Sequence, residues 1–185
     1  MVEIRENSDL LSVKHGFIMH QVNYLGIMGG GLALQIKRKW PDVFKKYSDW
    51  LKDEKEYLKN LYRLYRGGGL DRQIIEEHTI GKCIYVNPEG EADDLMVCNV
   101  FAQRGGIGKT AQTDYQVWMR RFDKIKRYAE TLYPGIPKSE DKISINIPWK
   151  LGCGLAHGDW SKMEEIIKNS FEDCEERLII HKFEG

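Results

Sequence analysis

This sequence has no net charge: its 28 Lys and Arg residues are balanced by 28 Asp and Glu over 185 residues. The balance argues against a generally basic surface for nucleic acid or acidic membranes, so an anionic partner would have to be held by local geometry. Long apolar runs are missing as well. None approaches the roughly 18 to 20 residues that span a bilayer, and the opening MVEIRENSDL lacks the basic and apolar regions of a leader. The expectation is a cytoplasmic protein with no membrane partner. Cys83, Cys98, Cys153 and Cys174 show no CxxC or other ligand spacing, and three of them lie in or beside apolar stretches. Buried free thiols fit this better than disulfides or a metal site. His15, His20, His78, His157 and His181 form no spaced pair either, so neither metal nor cofactor is expected. Repeats, low-complexity tracts and heptad runs are absent.

Short apolar or β-branched runs are present at 17–22 (FIMHQV), 83–86 (CIYV), 95–101 (LMVCNVF), 143–147 (ISINI) and 178–183 (LIIHKF), with a weaker one at 2–5. They predict strands buried on both faces. Amphipathic segments lie between them. Tyr115, Trp118, Phe122, Ile125, Ala129 and Leu132 share one helical face; Leu32–Lys39 predicts a short helix ended by Pro41; Val43, Phe44, Tyr47, Trp50 and Leu51 mark the next. Ser161–Phe171 predicts another, with Asp159 or Ser161 as its cap. Strands alternating with helices imply an α/β fold with a mostly parallel sheet covered on both faces, and the length suits one domain over residues 1–185. LYRGGGLDRQ reads as a flexible surface connection, and YPGIPKSED as a loop before a strand.

Two glycine-rich stretches carry the chemistry. Gly29–Gly31 follow a strand and open a helix, where turn amides and a helix N-terminus can converge on an anion. LGCGLAHGDW, at 151–160, stands in the same relation to a strand and a helix. In a parallel sheet both loops leave strand C-terminal ends, the edge where such folds place ligands, so together they could grip a diphosphate. Neither matches GxGxxG or GxxxxGK[ST]. As residues alone, Gly29–Gly31 read equally well as a tight turn, Asp9 as a cap, Asn23 as an amide pairing its own turn and His20 as a core histidine.

The order of segments is more telling: HxxN at a strand end, GGGLA opening a helix, KWPDVFKKY, GKCIYV, DDLMVCNVFAQRGG, then an apolar strand running into GCGLxxxxW. This order resembles the macrodomain family, whose members bind ADP-ribose and its derivatives, over nearly the whole chain. It is most similar to the small branch associated with removing phosphate from ADP-ribose 1''-phosphate. The resemblance implies a three-layer α/β/α fold around a mixed, mostly parallel sheet of about six strands. It implies that Asp9, with the Leu10 amide, meets adenine and that Asn23 meets the distal ribose. Gly29, Gly30 and Gly31, rimmed by Ile27 and Met28, would form the first phosphate loop. Gly152, Cys153, Gly154 and Leu155 would form the second, with Cys153 a small packed residue.

The same resemblance implies catalytic parts for His20 and Asn23, His20 being suited to proton transfer near neutrality; His157 is the alternative histidine. Related enzymes that reverse ADP-ribosylation carry a lysine where NVFAQRGG places Gln103, and some carry an acid where this chain has Ala156. Their covalent lysine mechanism is therefore in doubt here, and Lys150, in the other loop, reads as an anion contact or a solvated charge. Three functions remain open: hydrolysis of ADP-ribose 1''-phosphate to ADP-ribose and phosphate, sensing or sequestering of ADP-ribose or an NAD-derived signalling nucleotide without turnover, and hydrolysis of another derivative such as O-acetyl-ADP-ribose or an ADP-ribosylated side chain. Asp159 and Trp160 read as helix cap and packing anchor. Oligomeric state is not legible.

Overall fold

The computed structural model describes residues 1–65, 70–105, 110–132, 144–172 and 176–183. The Gly67–Gly69 run, Lys109, Cys174 and the YPGIPKSED loop lie outside them. Six strands form one sheet in the order β1-β6-β5-β2-β4-β3: β1 (Val2–Glu6), β2 (Gly16–Asn23), β3 (Cys83–Val86), β4 (Leu95–Gln103), β5 (Ile145–Pro148) and β6 (Leu178–Lys182). All neighbours run parallel except β3, which joins the edge antiparallel to β4.

Strand side chains alternate between faces, and the two faces are covered by different helices. From β2, Phe17 and Met19 enter one core with Cys98, Val100 and Ala102 of β4; this core is closed by α4 (Tyr115–Leu132) and α5 (Trp160–Phe171). Ile18 and Val22 point the other way, toward α1 (Gly31–Lys39), α2 (Pro41–Tyr65) and α3 (Arg72–Thr79). Trp118, Phe122, Ile125 and Ala129 of α4 are buried as their spacing demands. Full burial of side chains of this kind contributes roughly 1.5 to 3 kcal/mol each.

α1 ends at Lys39 as its sequence leads one to expect, and the segments beyond it are refined in two ways. Pro41 does stand just beyond α1, but it also occupies the first position of α2, where its missing N–H costs nothing. That helix runs on to Tyr65, well past the stripe ending at Leu51. LYRGGGLDRQ is also more ordered at its ends than a surface connection: Leu64 and Tyr65 finish α2, and Asp71 caps α3 by accepting from the Ile74 amide at 2.9 Å.

β2 and β5 are adjacent and parallel, yet the helix that follows β2 covers one face and the helix that follows β5 covers the other. Loops leaving these two strand ends diverge and open a crevice at the carboxyl edge of the sheet.

Candidate functional site

Both glycine-rich loops emerge at this crevice. The first, after Asn23, is shaped by the asparagine itself: its Oδ1 accepts from the Leu25 amide at 2.9 Å and its Nδ2 donates to the Ile27 carbonyl at 2.9 Å. Tyr47 of α2, fully buried, donates its hydroxyl to the Asn23 carbonyl at 2.6 Å and so ties the turn to the helix layer. Burial drives the Tyr47 phenol strongly upward, so this donor stays protonated. Gly30 is the N-cap of α1, whose first amides have no partner within the helix.

The second loop is held by its own backbone and by Thr113. The amides of Cys153, His157 and Gly158 bond to the carbonyls of Lys150, Gly154 and Gly152, each at 2.9 Å. Gly152 takes a φ of +72°, and a β-carbon there would lie 2.9 Å from both Gln21 Oε1 and Thr113 Oγ1, so conformation and space both require glycine. Asp159 then caps α5 by accepting from the Ser161 amide, and Trp160 packs on Trp149 with ring centroids 4.6 Å apart.

The loops meet at one point. A β-carbon on Gly30 would stand 2.7 Å from Leu155 Cδ1, so the tip of the second loop touches the first where the first carries no side chain. On either side of this bridge lies a cavity, of about 210 Å³ and about 240 Å³, and both are lined by Gln21, Gly30, Ala33, Gln103 and Leu155. The first continues past His20 to Trp149, Lys150 and Gly152; the second continues past Asn23, Leu25, Ile27 and Gly29.

Gln103, at the end of β4, lines both cavities and donates to Gln112 Oε1 at 3.2 Å. His20 lies within β2 rather than at its end and is 1% exposed; it is among the residues lining the first cavity, and its Nε2 lies 2.8 Å from Asn99 Oδ1. Burial lowers its pKa to about 4, although the Asn99 contact pulls the other way. Gly31 and Gly154 also line the first cavity, and Lys150 reaches it from a backbone φ of +55°.

Other predicted site residues stand apart from the two cavities. Met28 is 1% exposed and turns into the core, leaving Ile27 alone at the rim. Asp9 caps a single 3-10 turn, Leu10–Ser12, by accepting from the Leu11 amide, and the Leu10 side chain is buried beneath it. That turn follows β1, at the same carboxyl edge. Cys153 is half-buried, with its thiol pKa raised chiefly by burial, which disfavours the thiolate a nucleophile needs. His157 is exposed on the outside of the loop, at a φ of +50°.

The sequence reading passed over Gln21, Ala33 and Thr113. Gln21 is fixed by Trp118, whose Nε1 donates to its Oε1 at 3.0 Å, while its own Nε2 donates to Thr113 Oγ1 at 3.2 Å. Its position next to His20 in β2 was the available signal.

No family model matches the sequence, and no curated protein does. Solved structures do. A protein of unknown function from Bacteroides thetaiotaomicron superposes with a TM-score of 0.70 at 22% identity, covering 98% of each chain. The macrodomain of Mycobacterium tuberculosis DarG superposes with a TM-score of 0.66 at 23% identity, covering 100% of this chain and 99% of that one. Thermosipho africanus DarTG in complex with ADP-ribose matches at 0.64 and 20% identity, over 97% of this chain and 41% of its own. At these identities the likeness establishes the fold.

Proposed function

We propose that this chain, which has the macrodomain fold, binds ADP-ribose or a close derivative in the crevice between β2 and β5. One observation carries the reading: two glycine-bearing loops leave adjacent parallel strands and meet at Gly30 and Leu155 over a divided cleft. A pyrophosphate passing beneath that bridge would be met by main-chain amides of both loops, which supply charge-assisted hydrogen bonds without a basic cluster. Asn23, Ile27 and Gly29 then belong to the distal-ribose side. Asp9 and the Leu10 amide belong to the adenine side, because their turn packs against β5. The Thermosipho neighbour, a complex with ADP-ribose, agrees with this choice of ligand. The setting we infer is cytosolic, in keeping with free thiols at Cys83, Cys98 and Cys153.

Calorimetry and thermal shift with ADP-ribose, AMP and NAD test the proposal. ADP-ribose is expected to bind more tightly than AMP and to raise the melting temperature, because a ligand of the native state stabilises it by mass action. No binding by ADP-ribose would overturn the assignment.

A second reading is hydrolysis of ADP-ribose 1''-phosphate, with water activated by His20. In its favour, His20 lines the same cavity as both loops. Against it, an imidazole with a pKa near 4 is a weak base. Phosphate release by the parent and by His20→Ala separates the readings: equal rates remove His20 from the mechanism, and no release leaves a binding module.

A further inference from the structure

The hydrogen bonds around His20 fix which of its nitrogens carries the proton. Asn99 Nδ2 donates to the Ile84 carbonyl at 3.4 Å, and a carbonyl can only accept, so the amide nitrogen must face Ile84. Asn99 Oδ1 therefore faces His20 Nε2, 2.8 Å away, and the proton sits on Nε2. Nδ1 is left as a bare acceptor. It is buried and has no hydrogen-bond partner among the described residues, and His20 is one of the residues that line the first cavity. An unpaired buried acceptor costs about 1 to 3 kcal/mol, so a group that donates to it recovers that penalty.

Building on the binding reading above, we propose that His20 is a specificity-determining acceptor: its neutral Nδ1 takes a hydrogen bond from a sugar hydroxyl of the bound nucleotide and turns a phosphate away. A phosphate oxygen has no proton to give, and its charge would face a lone pair, so the anion is confined to the main-chain amides of the glycine loops. The hydroxyl offers its hydrogen to Nδ1 with no change of protonation on either side. The depressed pKa of His20 agrees with this role, since the ring stays neutral wherever the nucleotide is bound near physiological pH. Gln21 and Gln103, both neutral polar residues, line the same cavity.

The test uses the full chain and ADP-ribose. In protein labelled with 15N at histidine, His20 should show a protonated Nε2 and an unprotonated Nδ1, and saturating ADP-ribose should shift Nδ1 in the direction of an accepted hydrogen bond. Affinity should stay within twofold from pH 8 to pH 6 and fall about tenfold in His20→Leu, the loss expected when one buried acceptor contact is deleted. A protonated Nδ1, an Nδ1 resonance unmoved by bound ligand, or affinity that climbs steadily as pH falls would each overturn the proposal. The spectrum of the parent answers even if the leucine variant does not fold. Failure of ADP-ribose to bind the parent at all would refute the binding reading itself and this proposal with it.

Discussion

Thr113 Oγ1 donates to the Gly152 carbonyl at 2.7 Å, and the Gly158 amide reaches the same oxygen at 2.9 Å. One carbonyl thus joins both ends of the second loop to the segment that enters α4, and Gln21 is drawn in through the same threonine hydroxyl.

Thr113→Val keeps the shape of the side chain and removes the donor. Loss of about 1 to 2 kcal/mol is expected, with weaker ADP-ribose binding because the loop is held at fewer points. Thr113→Ser should stay within about 0.5 kcal/mol, since the donor survives. Urea unfolding of the three proteins measures this, and equal midpoints for valine and parent would show that the bond contributes nothing.

Gly158→Ala should be more damaging. Its added β-carbon would stand 2.5 Å from the Gly152 carbonyl oxygen and 2.9 Å from Thr113 Oγ1, and the first of these is backbone. The loop must move, at a cost of about 1 to 3 kcal/mol. Thermal unfolding measures it; an unchanged melting temperature would mean that the loop relaxes freely.

Gly30→Ala differs because its obstacle is the flexible tip of Leu155, a residue 44% exposed. Stability should change by less than about 1 kcal/mol, while ADP-ribose affinity drops as Leu155 is displaced within the cleft. Combining it with Leu155→Ala should restore much of the affinity, giving a coupling that independent sites do not show. Additive losses in calorimetry would place the two residues in separate sites.

Acid should destabilise the fold through two histidines. His20 and His181, buried in β2 and β6, have pKa values lowered to about 4, chiefly by burial. Arg5 adds to the effect at His181, and Asp9 and Glu3 oppose it. His181 is held neutral between Asn146 Oδ1 at 2.9 Å and the Ser8 hydroxyl at 2.8 Å. Both side chains titrate near 6.5 when unfolded, so the unfolded chain binds more protons between pH 6.5 and about 4. Their contribution is full above pH 6.5 and is lost as pH falls toward 4, by up to roughly 3 kcal/mol each. Urea midpoints should be flat from pH 8 to 7 and fall steadily from 6.5 to 5. A midpoint unchanged over the lower range would sink this account.

Strands were legible wherever burial on two faces produced a nearly unbroken apolar run, as in Leu95–Gln103, and α4 wherever its stripe stayed regular for several turns. α3 was not, because its eight residues offer only Ile74 and Ile75 as apolar anchors, and Ile75 packs only once α2 and β4 are in place. The far half of α2 was hidden for a related reason: beyond Leu51 its stripe thins to Leu58. At the site, glycine runs exposed both loops because their backbone needs are local. The network of Gln21, Thr113 and Trp118 joins residues more than 90 positions apart and left no local pattern. Asn23 and Asp9 show the opposite limit, since each serves its own turn whatever else it meets.

The strand order also has a temporal meaning. Among the described residues β1 lies at the rim of the sheet with β6 as its sole neighbour, so Val2 aligns with Leu178 and Ile4 with Ile180. β1 must therefore wait for β6, far along the sequence, before it finds its place. Closing so long a loop is slow, and the appearance of β6, rather than of β1, should be the event after which this margin of the molecule becomes resistant to proteases.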